Sequence, residues 1–340
     1  MNAPAGPAAA LPPTPATPAT APAPASATPA VAPAAASATP SASAPAAGGT
    51  GGVAGRPERP YKLPGAVLLL VAMALLHTGG ALATELFDSL GPAGTTWLRL
   101  TLAAVVLLAC TGRSLWRVVR TTARADLLGT VGLGVVSAAM MLLFAEAAAR
   151  LPLGTATALE FLGPLAVAVA GSRRVRELLW LALAAAGVLL LTSPWSGSAG
   201  LVGVLFGLGS AACWAAYVIG TAHVGSRFSA PHGLALSLAV AAVVAAPFGA
   251  PGALAHLSWQ VAAAAAGIAV LMPLLPFLLE MKALQRMSKT TYGTLAGLEP
   301  AVALFAGMVL IAQTPTVLQA AGTALVVTAG IGAARGEGRR

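Results

Sequence analysis

The sequence predicts an all-α integral membrane protein of ten transmembrane helices, built as two inverted five-helix repeats. Three observations support this prediction: the hydropathy of the chain, the distribution of its basic residues, and a motif that occurs twice. Of the 340 residues, 57% are hydrophobic and 9% are charged, whereas soluble domains carry roughly a quarter charged residues. The mean hydropathy is +0.84. Most of the chain is therefore expected to face lipid, or other helices within lipid.

Residues 1–60 differ in composition from the rest of the chain. They are almost entirely Ala, Pro, Ser, Thr and Gly, and no charged residue precedes Arg56. Such a segment cannot bury enough apolar surface to offset the entropy lost on ordering. It also lacks the charged start and compact apolar run of a signal peptide. We expect a disordered cytoplasmic tail, which is either a tether for a partner or an extension with no function of its own.

The rest of the chain divides into ten apolar runs. A helix needs about 20 apolar residues to cross a hydrocarbon core of about 30 Å. Runs of about this length lie at residues 64–86, 92–111, 126–146, 152–171, 177–195, 199–221, 231–249, 259–280, 290–312 and 316–334. We assign the first five to a repeat at 61–196 and the last five to a repeat at 197–334. Residues 335–340 form a basic C-terminus.

The basic residues provide a separate test of this segmentation. All the Lys and Arg residues except Arg99 and Arg150 fall in the termini or in alternate loops on one side. Cytoplasmic loops of membrane proteins carry this excess of basic residues, so both termini are expected in the cytoplasm and the number of spans is even. Topology thereby explains the formal charge of +9, and no nucleic-acid partner is expected.

One motif occurs in both predicted repeats. LGTATALE at 153–160 and YGTLAGLE at 292–299 share the pattern G-T-x-x-x-L-E. Each copy lies in the fourth helix of a five-helix unit. Because five is odd, the second unit enters the membrane from the opposite face, which is the inverted-repeat plan of many secondary transporters.

The motif places Glu160 and Glu299 near the middle of the bilayer. Each lies about nine residues into its span, or roughly 13 to 15 Å at 1.5 Å per residue. An ionised carboxylate at this depth costs at least about 3 kcal/mol unless it meets water, a partner or a proton. Either these groups bind a substrate or a proton, or they are protonated and hydrogen-bond neighbouring helices. The internal duplication favours the first interpretation.

Two prolines follow these glutamates. Pro164 and Pro300 have no N–H to offer the carbonyls of Glu160 and Ala296, and both are candidate helix breaks. Free carbonyls at this depth must face protein or a watery cavity. They are either ligands for an ammonium group or the result of simple helix kinks.

Several segments resemble a known family. PLGTATALEFLGPLAVAVAGSRR at 152–174 and TYGTLAGLEPAVALFAGMVL at 291–310 are similar to EamA-type drug/metabolite transporters, and the ALEFLGPLAVA block resembles their threonine/homoserine exporter branch. The resemblance extends from about residue 63 to residue 332. It implies an inner-membrane exporter of small amino acids that exchanges them for protons by alternating access. Gln313 departs from the pattern, since relatives usually carry Glu there. His77 stands where a neutral polar residue is expected.

Under this interpretation Glu160 and Glu299 act as a pair that binds the proton or the substrate ammonium group. Trp214 and Tyr217 lie three residues apart on the sixth span, where they either line the cavity or face lipid and neighbouring helices. His77 is either a cavity residue or a hydrogen-bonded helix contact.

Three further charged residues have other expected roles. Arg99 balances a carboxylate or binds the substrate carboxylate, unless it snorkels to the outer interface, which is the default for a long basic side chain. Glu146 and Glu280 lie at the ends of the third and eighth predicted spans. We expect both to contact interfacial water and to take no part in the chemistry.

Two alternative functions are open. A broader metabolite or drug exporter would also suit the Ala-rich, weakly polar spans. A membrane enzyme or receptor is the alternative of another class, but the chain has no HExxH, GxSxG or GxxxxGK motif. Cys110 and Cys213 have no CxxC neighbour. We expect a transporter and not an enzyme, with a small molecule, protons and the bilayer as partners and with no metal or cofactor; the oligomeric state is open.

Overall fold

The computed structural model describes residues 64–170, 178–193, 200–224 and 230–337, and the regular secondary structure within them is entirely helical. Several predictions fall outside these residues. They concern the tail at 1–60, the basic loop at 172–176, the junction of the two repeats at 194–199, and the last residues of the C-terminus.

Twelve helices are present in the described part of the chain. They are α1 (Gly65–Glu85), α2 (Phe87–Thr121), α3 (Arg124–Ala148), α4 (Leu153–Ala170), α5 (Leu178–Thr192), α6 (Leu201–Val224), α7 (Ala230–Ala255), α8 (Trp259–Ala269), α9 (Leu275–Leu284), α10 (Lys289–Ala296), α11 (Glu299–Leu310) and α12 (Val317–Glu337). Each predicted span overlaps one of these helices or a consecutive pair of them.

Nine segments of the described chain are long and apolar enough to cross a bilayer. Helix α5 is apolar but has only 15 residues, so its length of about 22 Å is less than the thickness of a typical hydrocarbon core. The prediction of a multi-spanning, all-helical membrane protein is confirmed. The tenth span stays a prediction.

Two of the spans are broken near their middle. Helices α8 and α9 are joined by a π-helical turn, Val270–Leu274, which contains Pro273. Helices α10 and α11 are separated by Gly297 and Leu298, and Pro300 lies in the first turn of α11. A proline that cannot donate to the preceding turn explains why a helix is interrupted at such a point.

Helices from the two predicted repeats pack closely on each other. Helix α2 packs along α7, α5 along α12, and α4 against both α6 and α11. Small residues permit the close approaches: Gly163 of α4 lies against the backbone of Ala211 in α6, and Gly187 of α5 lies against Gly322 of α12. Within lipid, such packing between small residues is a main source of helix association.

Candidate functional site

A cavity of about 170 Å³ lies inside the helical bundle, with lining residues from α1, α2, α3, α4, α6, α7, α9 and α11. A cavity of roughly 150 Å³ accommodates benzene, so this one suits a ligand of about that size. All six residues predicted to bind substrate or protons line it: His77, Arg99, Glu160, Trp214, Tyr217 and Glu299. Much of the remaining wall is apolar and includes Met140, Met141 and Phe277.

Glu160 is held by a serine that the sequence analysis did not identify. The Oγ atom of Ser210, a fully buried residue on α6, lies 2.6 Å from Glu160 Oε1 and 3.0 Å from the carbonyl oxygen of Met140 on α3. A hydroxyl has only one hydrogen to donate. Ser210 therefore donates to an ionised Glu160, or it donates to Met140 while a protonated Glu160 donates to Ser210. The arrangement accepts both states of the carboxyl group by rotation of one hydroxyl.

Arg99 lies in the interior of the bundle. Its side chain lines the cavity, the residue is 3% exposed, and its positive charge attracts Glu160. The prediction that it snorkels to the outer interface is therefore wrong. Helix α2 turns this side chain toward the other helices, and the hydropathy of the sequence carries no information about that rotation. The guanidinium makes no hydrogen bond to another described residue, so its N–H donors are available to a ligand.

Glu299 is the first residue of α11 and is buried beside His77 of α1. The distance from His77 Nε2 to Glu299 Oε1 is 3.7 Å, which is too long for a hydrogen bond. His77 Nε2 is buried and has no hydrogen-bond partner among the described residues. The N-terminal end of a helix favours a negative charge, so the start of α11 offsets part of the cost of a negative charge on Glu299.

Glu280 is a third buried carboxyl group of the cavity. It is 8% exposed and lines the cavity wall, so the prediction that it contacts interfacial water is wrong. The predicted span ended at residue 280, whereas α9 continues to Leu284, which places the carboxyl group inside the bundle. Tyr292 of α10 is almost fully buried next to Glu280. The signal for this site was a single acidic residue within the apolar stretch LPFLLEMKAL.

Glu146 shows what an acidic residue outside the cavity looks like in this fold. It pairs with Arg150 one turn further along the chain, and both side chains are partly exposed. This pair matches the expectation of a group near the membrane surface.

Trp214 and Tyr217 are both 6% exposed, so they do not face lipid. The Trp214 ring meets Phe161 of α4 edge to face, with centroids 6.4 Å apart. Its indole nitrogen is buried and has no hydrogen-bond partner among the described residues. The two aromatics contribute both to packing of α6 on α4 and to the cavity wall.

The two candidate helix breaks lie in different surroundings. Pro164 is inside α4, which continues through it to Ala170. Pro300 follows the interruption between α10 and α11.

Gln313, in the segment before α12, lies against the start of α4, and its Oε1 accepts a hydrogen bond from the Leu153 N–H at 3.0 Å.

Known proteins match both the sequence and the fold. The EamA-like transporter family model matches residues 201–333. The threonine/homoserine exporter RhtA of Escherichia coli (strain K12) is 38% identical over 281 residues, which cover 81% of this chain and 92% of the relative. RhtA of Salmonella typhimurium (strain LT2) is 36% identical and 92% covered.

One solved structure, a crystal structure of a protein with 19% sequence identity, covers 81% of this chain and 99% of its own, with a TM-score of 0.53. It shares the fold. From the two exporters, the family match and the helical bundle it follows that this chain is a multi-pass membrane protein and belongs to the EamA-like transporter family.

Proposed function

We propose that this protein exports small amino acids of the threonine and homoserine type across the inner membrane, in exchange for protons. The observation that carries the proposal is the charge pattern of the cavity, where one guanidinium and three carboxyl groups line a space of about 170 Å³. An amino acid carries one negative and one positive group on adjoining atoms. A cavity with charged groups of both signs complements it, and the similarity to exporters of threonine and homoserine supports the same substrate class.

The inverted repeat gives this proposal its mechanism. We assign residues 61–196 and 197–334 to the two repeats, ten spans to the whole chain and both termini to the cytoplasm. The contacts support this assignment because they are nearly symmetric when each span is exchanged for its counterpart five spans later. The second, fourth and fifth spans each pack on their own counterpart, which is the seventh, ninth and tenth span. The contact between the third and sixth spans corresponds to the contact between the eighth and first spans, and both are present.

Proton coupling is assigned to the two carboxyl groups of the repeated motif, Glu160 and Glu299. Both are buried in the cavity wall, and each has a neighbour that accommodates a change of protonation. For Glu160 the neighbour is the hydroxyl of Ser210, and for Glu299 it is the imidazole of His77. Each proton that enters with the membrane potential contributes about 2.3 kcal/mol per 100 mV, which drives the substrate outward as the two halves rock about the cavity.

Counterflow in proteoliposomes tests the substrate. We expect labelled threonine and homoserine to accumulate when the opposite side holds unlabelled threonine, whereas unrelated metabolites do not exchange. A pH gradient should drive threonine efflux from vesicles, and this efflux should be lost in Glu160→Gln and Glu299→Gln. Retention of gradient-driven efflux by both variants would refute the coupling assignment.

A broader metabolite or drug exporter is the second candidate. Three methionines and the rings of Phe144 and Phe277 form part of the cavity wall, and methionine adapts to ligands of different shape. A panel of apolar drugs and amino acids in the same counterflow assay separates the two candidates. Exchange of several unrelated compounds at rates similar to that of threonine would favour the broader function.

A further inference from the structure

Four buried polar side chains form an acidic pole at one part of the cavity wall. They are His77, Glu280, Tyr292 and Glu299, on α1, α9, α10 and α11, and none is more than 8% exposed. Three of the four line the cavity directly, and Tyr292 lies next to Glu280. Glu280 contributes to the charge of the cavity, but it has no counterpart in the repeated motif and no individual role in the function proposed above.

The acidic pole has unused hydrogen-bonding capacity. His77 Nε2 is 3.7 Å from Glu299 Oε1 and has no hydrogen-bond partner among the described residues. Buried polar atoms of folded proteins nearly always have a partner. An unpaired imidazole nitrogen beside carboxyl groups of the cavity wall indicates a place where a ligand with several N–H donors completes the hydrogen bonding.

The charges of the cavity indicate the sign of that ligand. Arg99 is attracted to Glu160, and Ser210 hydrogen-bonds the same carboxyl group. This leaves Glu280 and Glu299, which are close enough to repel each other when both are ionised, with His77 as the only basic group at the pole. Two neighbouring carboxylates in a protein interior require a cation or a proton between them.

The backbone at the break between α10 and α11 has the same preference. Pro300 provides no N–H for the carbonyl of Ala296, and the C-terminal end of a helix such as α10 favours positive charge. The carboxylate oxygens of Glu280 and Glu299, which line the cavity, are the acceptors that the N–H groups of an ammonium group need.

We propose that Glu280 and Glu299 together bind the α-ammonium group of the substrate, while Arg99 binds its α-carboxylate. The inference rests on the function proposed above, and it divides the cavity into two ends. Glu160 and Glu299 keep the proton-coupling role proposed above. Glu160 in addition positions Arg99, and Glu280 becomes a substrate-binding residue. A substrate bound this way has one orientation, with its side chain directed toward the apolar wall.

Substrate analogues that lack one charged group test this division. Threoninol has the ammonium group without the carboxylate, and 2,3-dihydroxybutyrate has the carboxylate without the ammonium group. Each is measured as an inhibitor of labelled threonine counterflow in the wild type, Glu280→Gln and Arg99→Gln. Glu146→Gln, which removes a carboxylate that pairs outside the cavity, is the matched control.

We expect Glu280→Gln to lower the affinities for threonine and threoninol by about tenfold or more, since a hydrogen bond to a charged group is lost. The affinity for 2,3-dihydroxybutyrate should not change. Arg99→Gln should show the reverse selectivity, and Glu146→Gln should resemble the wild type. Should Glu280→Gln fail to fold, Glu280→Asp takes its place with the same expected selectivity, because its shorter side chain withdraws the carboxylate.

The outcomes separate the two levels of the proposal. A wild type without threonine counterflow would overturn the proposed function and this inference together. This inference alone would be overturned if the wild type shows threonine counterflow but the Glu280 variant is inhibited less well by both analogues to the same extent. In that case Glu280 would be a residue that stabilises the bundle.

Discussion

Gly163→Ala should separate α4 from α6 and so displace the Glu160 carboxyl group. A Cβ atom at Gly163 would overlap the carbonyl oxygen of Ala211, at a separation well under the 3.0 Å limit of real Cβ contacts. Nonbonded atoms prefer about 3.5 Å, so the helices must move apart by on the order of 1 Å. Because the obstacle is backbone and not a flexible side chain, we expect the cost near the upper end of the 1–3 kcal/mol range of overpacked interiors, about 3 kcal/mol.

The same displacement should reduce transport. Gly163 is three residues after Glu160, and Ala211 follows Ser210, so the wedge adjoins the 2.6 Å hydrogen bond between the carboxyl group and the hydroxyl. Gly132→Ala on α3 is the control, because nothing lies within 4 Å of its added Cβ. In a helix Ala is favoured over Gly by about 1 kcal/mol, so the control should be as stable as the wild type or slightly more so.

Two measurements test this prediction. The first is thermal unfolding in detergent, monitored as the fraction of protein that remains monodisperse after heating. The second is gradient-driven threonine efflux from vesicles. Gly163→Ala should unfold at a lower temperature than Gly132→Ala and transport more slowly. Equal unfolding temperatures for the two variants would refute the reasoning about the contact between α4 and α6.

Variants at three other positions test individual contacts. Ser210→Ala removes a hydrogen bond to Glu160 worth about 1.5–3 kcal/mol if the carboxyl group is charged, so gradient-driven efflux should fall about tenfold or more at an unchanged yield of folded protein; full efflux would contradict the role given to the hydroxyl. Gln313→Ala leaves the Leu153 N–H without its acceptor and should lower the free energy of unfolding by about 1 kcal/mol. Gln313→Glu keeps an acceptor oxygen and should unfold at the wild-type temperature, and a loss equal to that of the alanine variant would argue against the contact. Glu146→Gln breaks a partly exposed ion pair worth about 1 kcal/mol or less, so we expect wild-type efflux and nearly unchanged thermal stability.

The spans could be predicted from the sequence because hydropathy along the chain reports directly on contact with lipid. The predicted run at 152–171 corresponds to α4 at Leu153–Ala170, and that at 259–280 to α8 and α9 together. Hydropathy does not report on backbone breaks inside an apolar run. The π-helical turn in Val270–Leu274 and the interruption before Glu299 were therefore not located, although Pro300 was identified as a candidate for the second.

The site was predicted in part. Glu160 and Glu299 were found because the motif repeats, and both line the cavity of the structure. Glu280 and Ser210 have no such signal. Whether Glu280 contacts water or protein depends on the packing of α1, α10 and α11 around it, and a serine in an apolar helix reveals its partner only when the neighbouring helix is in place. Arg99 was misjudged for the same reason, since depth along a helix does not say which way a side chain points.

The interruption between α10 and α11 makes the two copies of the G-T-x-x-x-L-E motif mechanically unequal. The first copy lies within the continuous helix α4, whereas the second is interrupted at Gly297 and Leu298, between α10 and α11. Motion of the bundle should therefore change the surroundings of Glu299 more than those of Glu160. We therefore expect Glu160 to keep its surroundings while those of Glu299 change, so that the two related side chains act at different stages of the proposed transport cycle.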